Sequence, residues 1–322
     1  MRMNLHPVVL FCLLLLLAGC DTPTNQTPAP ANDPAPAPAP APTPARTAAP
    51  APLGGCVIER RDGRIPEDLY LQTDVVRDDS YPPFTKHLVS GGVILLAGDD
   101  INDEFMRMIG DLYHDMFDRE APGIDVQLQE DVLRAMFAAR TAIPMWKGDE
   151  PDFPRESDWR KFDRLTERLS ICDAIFQLPR RERDGQPMEV MEHLLHHLNM
   201  VGLHEVFPEA WGISEESLLA RSMDRALDEE WYVVDYLDEF DDPEEARRVL
   251  LQEYSYWVIS TEWDLQRPYG PDADNGEWNL SDPARFRARQ PQLHAAFEET
   301  IPKVLVPPNR VILDEFAEQG WR

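Results

Sequence analysis

From residue 56 onward, short apolar runs alternate with longer stretches in which apolar residues return every three or four positions. The run Gly91–Gly98, rich in Val, Ile and Leu between glycines, predicts a buried strand. A helix follows it: Asn102 or Asp103 can cap it, and Phe105, Met108, Ile109, Leu112, Met116 and Phe117 form one stripe. The same spacing predicts helices over 129–139, 159–169 and 188–203, the last opened by Pro187. Segments 141–146 and 171–178 read as strands. Ser214 starts a helix to about Glu229, Asp242–Pro243 caps a long one through Glu253 to about Leu265, and one more lies near 290–299. The expected fold class is α+β, mostly helical, with a small sheet.

The N-terminus follows a different pattern. Arg2, an apolar stretch from Val8 to Leu17 and then Ala18, Gly19 and Cys20 have the order of a signal peptide whose core is too short for a permanent span. Leu17–Cys20 resembles the lipobox of bacterial lipoproteins, which implies lipidation of Cys20. The alternative is an ordinary secretory signal. Asp21 resembles the residue that retains such lipoproteins in the inner membrane of some bacteria. Residues 21–55 are Pro, Ala and Thr almost throughout. They cannot build a core, and as an extended spacer they would reach on the order of 100 Å. The expected organisation is a signal at 1–20, a tether at 21–55 and one acidic domain at 56–322, in the envelope facing the periplasm or the exterior.

Charge narrows the partners. The chain carries a net charge of −28, and the charges before residue 56 (Arg2, Asp21, Asp33 and Arg46) cancel, so the excess belongs to the domain. Such a surface disfavours nucleic acid and anionic lipid and favours cationic partners, whether divalent metals or basic peptides. The sequence has no Gly-rich phosphate loop and no nucleophile elbow, which excludes nucleotide and serine-hydrolase readings. Cys56 and Cys172 are the domain's two cysteines. In an oxidising compartment they can form one disulfide or remain two buried thiols.

Of the eight histidines, four (His193, His196, His197 and His204) fall within twelve residues. On a helix Met191, Leu194, Leu195 and Leu198 face the core, while Glu192 and His196, or His193 and His197, are neighbours one turn apart. Such a pair is how zinc peptidases of the His-Glu-x-x-His type hold their metal. Here the order is Glu192-His193-Leu194-Leu195-His196, so with Glu192 and His196 as ligands His193 occupies the general-base place, where a carboxylate is usual. His197 reads as a surface residue, and His204 as a capping histidine at the helix end. Glu253, among Tyr254, Tyr256 and Trp257, reads equally as a hydrogen-bonded core acid or a ligand.

The succession of the Gly92–Ala97 strand, the Asp103–Phe117 helix, Ile143–Lys147, Glu192–His196 with Gly202, Phe207–Gly212 and Glu253–Trp257 resembles an uncharacterised group of exported zincin-like proteins related to metallopeptidases. The likeness covers most of residues 90–300. It implies a zincin-like outline, zinc at Glu192 and His196, Glu253 in the place of the third ligand of gluzincins, and possible peptidase activity. The competing expectation is a non-catalytic lipoprotein that reaches a protein or peptide partner on its tether.

Overall fold

The computed structural model describes residues 61–148, 150–234, 240–270 and 276–319. The expected signal, Cys20, the expected tether and Cys56 lie outside them. Among the described residues no helix is long and apolar enough to cross a membrane.

The fold is α+β, with a mixed five-stranded sheet in the order β1 (Val76–Arg77), β2 (Lys86–Ser90), β3 (Val93–Ala97), β4 (Ala142–Lys147), β5 (Ile175–Gln177). β1, β2 and β3 are antiparallel neighbours; β3, β4 and β5 are parallel. The β2–β3 turn is Gly91–Gly92, both with positive φ (47° and 88°), the pair a tight two-residue hairpin requires. β2 escapes the sequence pattern because Lys86 and His87 interrupt its apolar run.

Two helices, α1 (Asp103–Asp115) and α2 (Val126–Ala138), cross from β3 to β4, and α3 (Glu156–Thr166) crosses from β4 to β5. Alternation along the strands separates their cores. Val93, Leu95, Ala97, Ile143, Met145 and Ile175 pack with α1 and α2, whereas Leu96, Ala142, Trp146 and Phe176 pack with Phe162 and Leu165 of α3. Both crossovers step the same way along the sheet but cover opposite faces. They are therefore of opposite hand, and one departs from the right-handed rule.

After β5 a 3₁₀ turn, Arg180–Gly185, reverses the chain into α4 (Gln186–His197). The helix passes into a π-helical stretch at Leu198–Leu203 before the short α5 (His204–Val206) and α6 (Pro208–Trp211). Gly202 lies inside that stretch, and a Cβ there would stand 2.8 Å from Val132 Cγ1, so the close approach to α2 needs glycine. α7 (Leu218–Asp228) is capped by the Ser217 side chain rather than by Ser214, because Ser217 accepts from Ala220 N–H. Asp242 caps α8 (Pro243–Glu262), which lies against α4. α9 (Gln266–Tyr269), α10 (Pro283–Arg289), α11 (Pro291–Val304) and α12 (Arg310–Gln319) follow among the described residues; the sequence pattern anticipates only α11 of these.

Candidate metal centre

α4 runs antiparallel to β5 and closes its free edge with side chains. Gln186 accepts from Leu178 N–H and donates to Phe176 C=O, both at 2.8 Å. Glu189 accepts from Phe176 N–H at 2.8 Å. His197 accepts from Cys172 N–H at 3.1 Å through Nε2, while its Nδ1 donates to the His193 carbonyl at 2.7 Å. His197 is thus no surface residue: it is fully buried, and burial depresses its pKa to about 4. The apolar stripe of α4 extends round to this strand, which the helix pattern alone does not reveal. Nor is His204 a cationic cap at the end of α4. It opens α5 and accepts from Ile213 N–H at 3.3 Å, and burial lowers its pKa, so it is a neutral acceptor rather than a cationic cap.

The site lies on the next faces of α4. Asp173, just before β5, reaches His196 Nδ1 at 3.0 Å and His193 Nδ1 at 3.1 Å, and accepts from Gln252 Nε2 at 3.2 Å. His193 Nε2 faces Glu189 at 3.0 Å. On the far side of the His196 ring, Nε2 faces Glu253 of α8 at 3.3 Å, and Glu192 completes a group whose ligand atoms lie within 4.8 Å of one another. Asp173, His193 and His196 form a second such group. Tyr256 meets the His196 ring edge-on at 6.0 Å. The structure therefore brings Glu192, His196 and Glu253 together, with His193 on the Asp173 side of the same helix.

Hydrogen bonding divides the contacts. The His196 Nδ1–Asp173 contact is a hydrogen bond. His196 Nε2 and both nitrogens of His193 are buried without a hydrogen-bond partner; their facing carboxylates are within ion-pair distance but off the N–H direction. His193 keeps 2 % of its side chain exposed and His196 none, whereas Asp173 keeps 27 % and Glu253 18 %, so solvent reaches the cluster from its acidic side.

Burial works against charge on every member, and attraction overrides it on three. Burial alone would depress both imidazoles, but Asp173 and Glu189 hold His193 well above its ordinary value, and Glu253 and Asp173 raise His196 to about 10. Burial would raise Asp173, yet the two imidazoles hold it well below the carboxylate range. Glu192 moves the other way: burial, then the Glu253 charge, push its carboxyl well above that range. Four acidic side chains, of which Glu192 resists ionising, thus surround two imidazoles that can be cationic, and a metal cation could take the place of those protons among the acidic oxygens.

A further group, Glu262, His294 and Glu298, lies between α8 and α11. Its buried acid is already engaged: Glu262 accepts from Arg287 at 3.1 Å and contacts His294 Nδ1 at 2.8 Å. Helix periodicity does not mark Asp173, although an acid inside the otherwise apolar 171–178 run is a signal, since a buried carboxylate demands partners. Gln252 carries no comparable mark.

Cys172 is buried and disulfide-bonded, and its partner lies outside the described residues. Comparison of the chain with protein-family models, curated proteins and solved structures found no match.

Proposed function

We propose that the chain is a lipid-anchored envelope protein whose acidic domain holds one zinc ion at Glu192, His196 and Glu253. The observation that carries this reading is the His196 ring. Its Nδ1 meets the Asp173 carboxylate at 3.0 Å and the Gln252 amide nitrogen at 3.1 Å, while its Nε2, fully buried and without a hydrogen bond, faces the carboxyl groups of Glu192 and Glu253, so that loss of its proton would aim a lone pair at a cation held among them. A carboxylate behind the distal nitrogen is the arrangement that fixes the tautomer of a metal-bound histidine. One imidazole and two carboxylates suit zinc, with a fourth position for water. Lipidation of Cys20 and the tether of residues 21–55 supply the anchor; they rest on the sequence.

Binding is favoured over hydrolysis. His193, at the general-base place of the motif, is enclosed by Asp173 and Glu189, and the carboxylate usual there is absent. The side chains of α4 also occupy the outer edge of β5, so an extended peptide cannot add to the sheet beside the ion. A peptidase remains the second reading, favoured by the solvent-facing side chains of Glu253 and Asp173 and by the sequence resemblance to zincin-like proteins. A protein or peptide of the envelope is the partner expected on either reading.

The test is metal analysis of the full-length chain purified in detergent without chelators. Close to one zinc per chain, lost in His196→Ala, is expected; metal-free wild-type protein that takes up no zinc on titration refutes the reading. Metal-dependent cleavage of a peptide library, stopped by chelation and restored by zinc, would promote the peptidase.

A further inference from the structure

The disulfide at Cys172 adjoins the carboxylate on which the His196 ring depends. Asp173 is the next residue, and its Oδ2 meets His196, His193 and Gln252 at 3.0–3.2 Å. It does not rest on a long strand, because β5 begins only at Ile175. Three bonds tie it down instead. Its own Oδ1 accepts from Ala174 N–H at 2.8 Å; the backbone of Cys172 is tied to α4 through His197 Nε2; and the Cys172 sulfur is part of a disulfide. His197 closes the loop by donating to the carbonyl of His193, on the same helix as both site imidazoles.

We infer that Asp173 is the positioning residue of the metal site, and that the Cys172 disulfide and the His197 ring hold it in register, so that the site's metal affinity follows the redox state of the disulfide. This rests on the zinc-site reading above. Reduction places two electrons and two protons on the S–S bond and yields two thiols, while a dithiol reductant leaves as its own disulfide. The Cys172 backbone then relaxes, Asp173 withdraws from Nδ1, and the His196 ring loses its fixed orientation. Loss of such an outer carboxylate typically costs 10- to 100-fold in metal affinity.

Cobalt(II), which reports its coordination through visible absorption, serves as the probe for the full-length chain in detergent. Asp173→Asn and Cys172→Ser should each weaken cobalt binding by about 10- to 100-fold at unchanged stoichiometry and shift the visible bands. The double variant should be little worse than either single one, because both act on one contact. Wild-type protein treated with a dithiol, its new thiols counted by mass after alkylation, should match Cys172→Ser. Asp173→Asn leaves the disulfide intact, so its spectrum remains informative if Cys172→Ser fails to fold. Unchanged affinity and bands in Asp173→Asn, or fully additive losses in the double variant, overturn the inference while leaving the zinc site standing. A wild-type chain that binds neither cobalt nor zinc overturns the zinc site itself.

Discussion

The seam between α4 and β5 permits a quantitative test at Gln186. This side chain is fully buried and makes two hydrogen bonds of 2.8 Å, one to Leu178 N–H and one to Phe176 C=O. Gln186→Met keeps the approximate volume and removes both. Each backbone group left without a partner costs about 1–3 kcal/mol. Leu178 is only half-buried, so water can recover part of the loss at its N–H, and the sum should fall near 3 kcal/mol. That is a large share of the roughly 5–15 kcal/mol that a domain has. Urea unfolding monitored by tryptophan fluorescence gives the total. Hydrogen exchange gives the location: the Leu178 amide should lose protection by about tenfold for every 1.4 kcal/mol that its local opening becomes easier, whereas amides of β3 should follow only the global change. A Gln186→Met protein within about 0.5 kcal/mol of wild type, or one whose Leu178 amide stays protected, would refute the account of the sealed edge.

Zinc at a hundredfold excess over its dissociation constant should stabilise the native state by about 2.7 kcal/mol. For a domain of this size that is a rise in melting temperature of roughly 5–10 °C, absent in His196→Ala; differential scanning calorimetry with and without zinc checks it. At the opposite end of the sheet, the buried Lys86 ammonium donates to Asp103 at 2.7 Å, and that bond holds the Asp103 carboxyl below its ordinary 3.8. Asp103→Asn should cost about 2–3 kcal/mol near neutral pH by leaving the ammonium charge uncompensated. Because the folded-state pKa is depressed, that contribution is complete above 3.8 and lost as the pH falls through the folded value. Urea midpoints of wild type and variant should therefore converge in acid; a gap that persists would show that packing, not charge, is responsible.

The helices were legible wherever an apolar stripe coincided with a capping residue. Asn102 and Asp242 mark α1 and α8 in sequence, and both side chains cap as expected. β2 was not legible, because its Lys86 is buried through pairing that only the fold supplies, nor were α10 and α12, whose short stripes lie among prolines. The candidate site divides the same way. Glu192 and His196 are one turn apart on one helix, so local periodicity pairs them. Asp173 comes from a different element and joins them through tertiary packing. His197 misleads for a related reason: helix geometry assigns it an angle but cannot say that a strand edge lies along that angle.

A ligand set built from repelling acids should cost stability when empty, which gives Glu192 a signature that a structural acid lacks. Its carboxyl is pushed well above the ordinary value of 4.5 by burial and by Glu253, so the folded protein resists ionising it. Glu192→Gln replaces it with a neutral group of the same shape. The metal-free variant should be more stable than wild type by on the order of 1 kcal/mol near neutral pH, while its zinc affinity falls. The sign follows from linkage: with the folded-state pKa raised, the wild-type penalty is absent below 4.5 and grows as the pH rises above it, so the stability advantage of the variant should vanish in acid. Chemical denaturation with excess chelator at two pH values, paired with zinc titration, separates the outcomes. A core acid satisfied by hydrogen bonds would instead lose stability on conversion to Gln and leave zinc binding untouched. Opposite signs in the two assays belong only to a group held at an energetic cost in order to meet a cation.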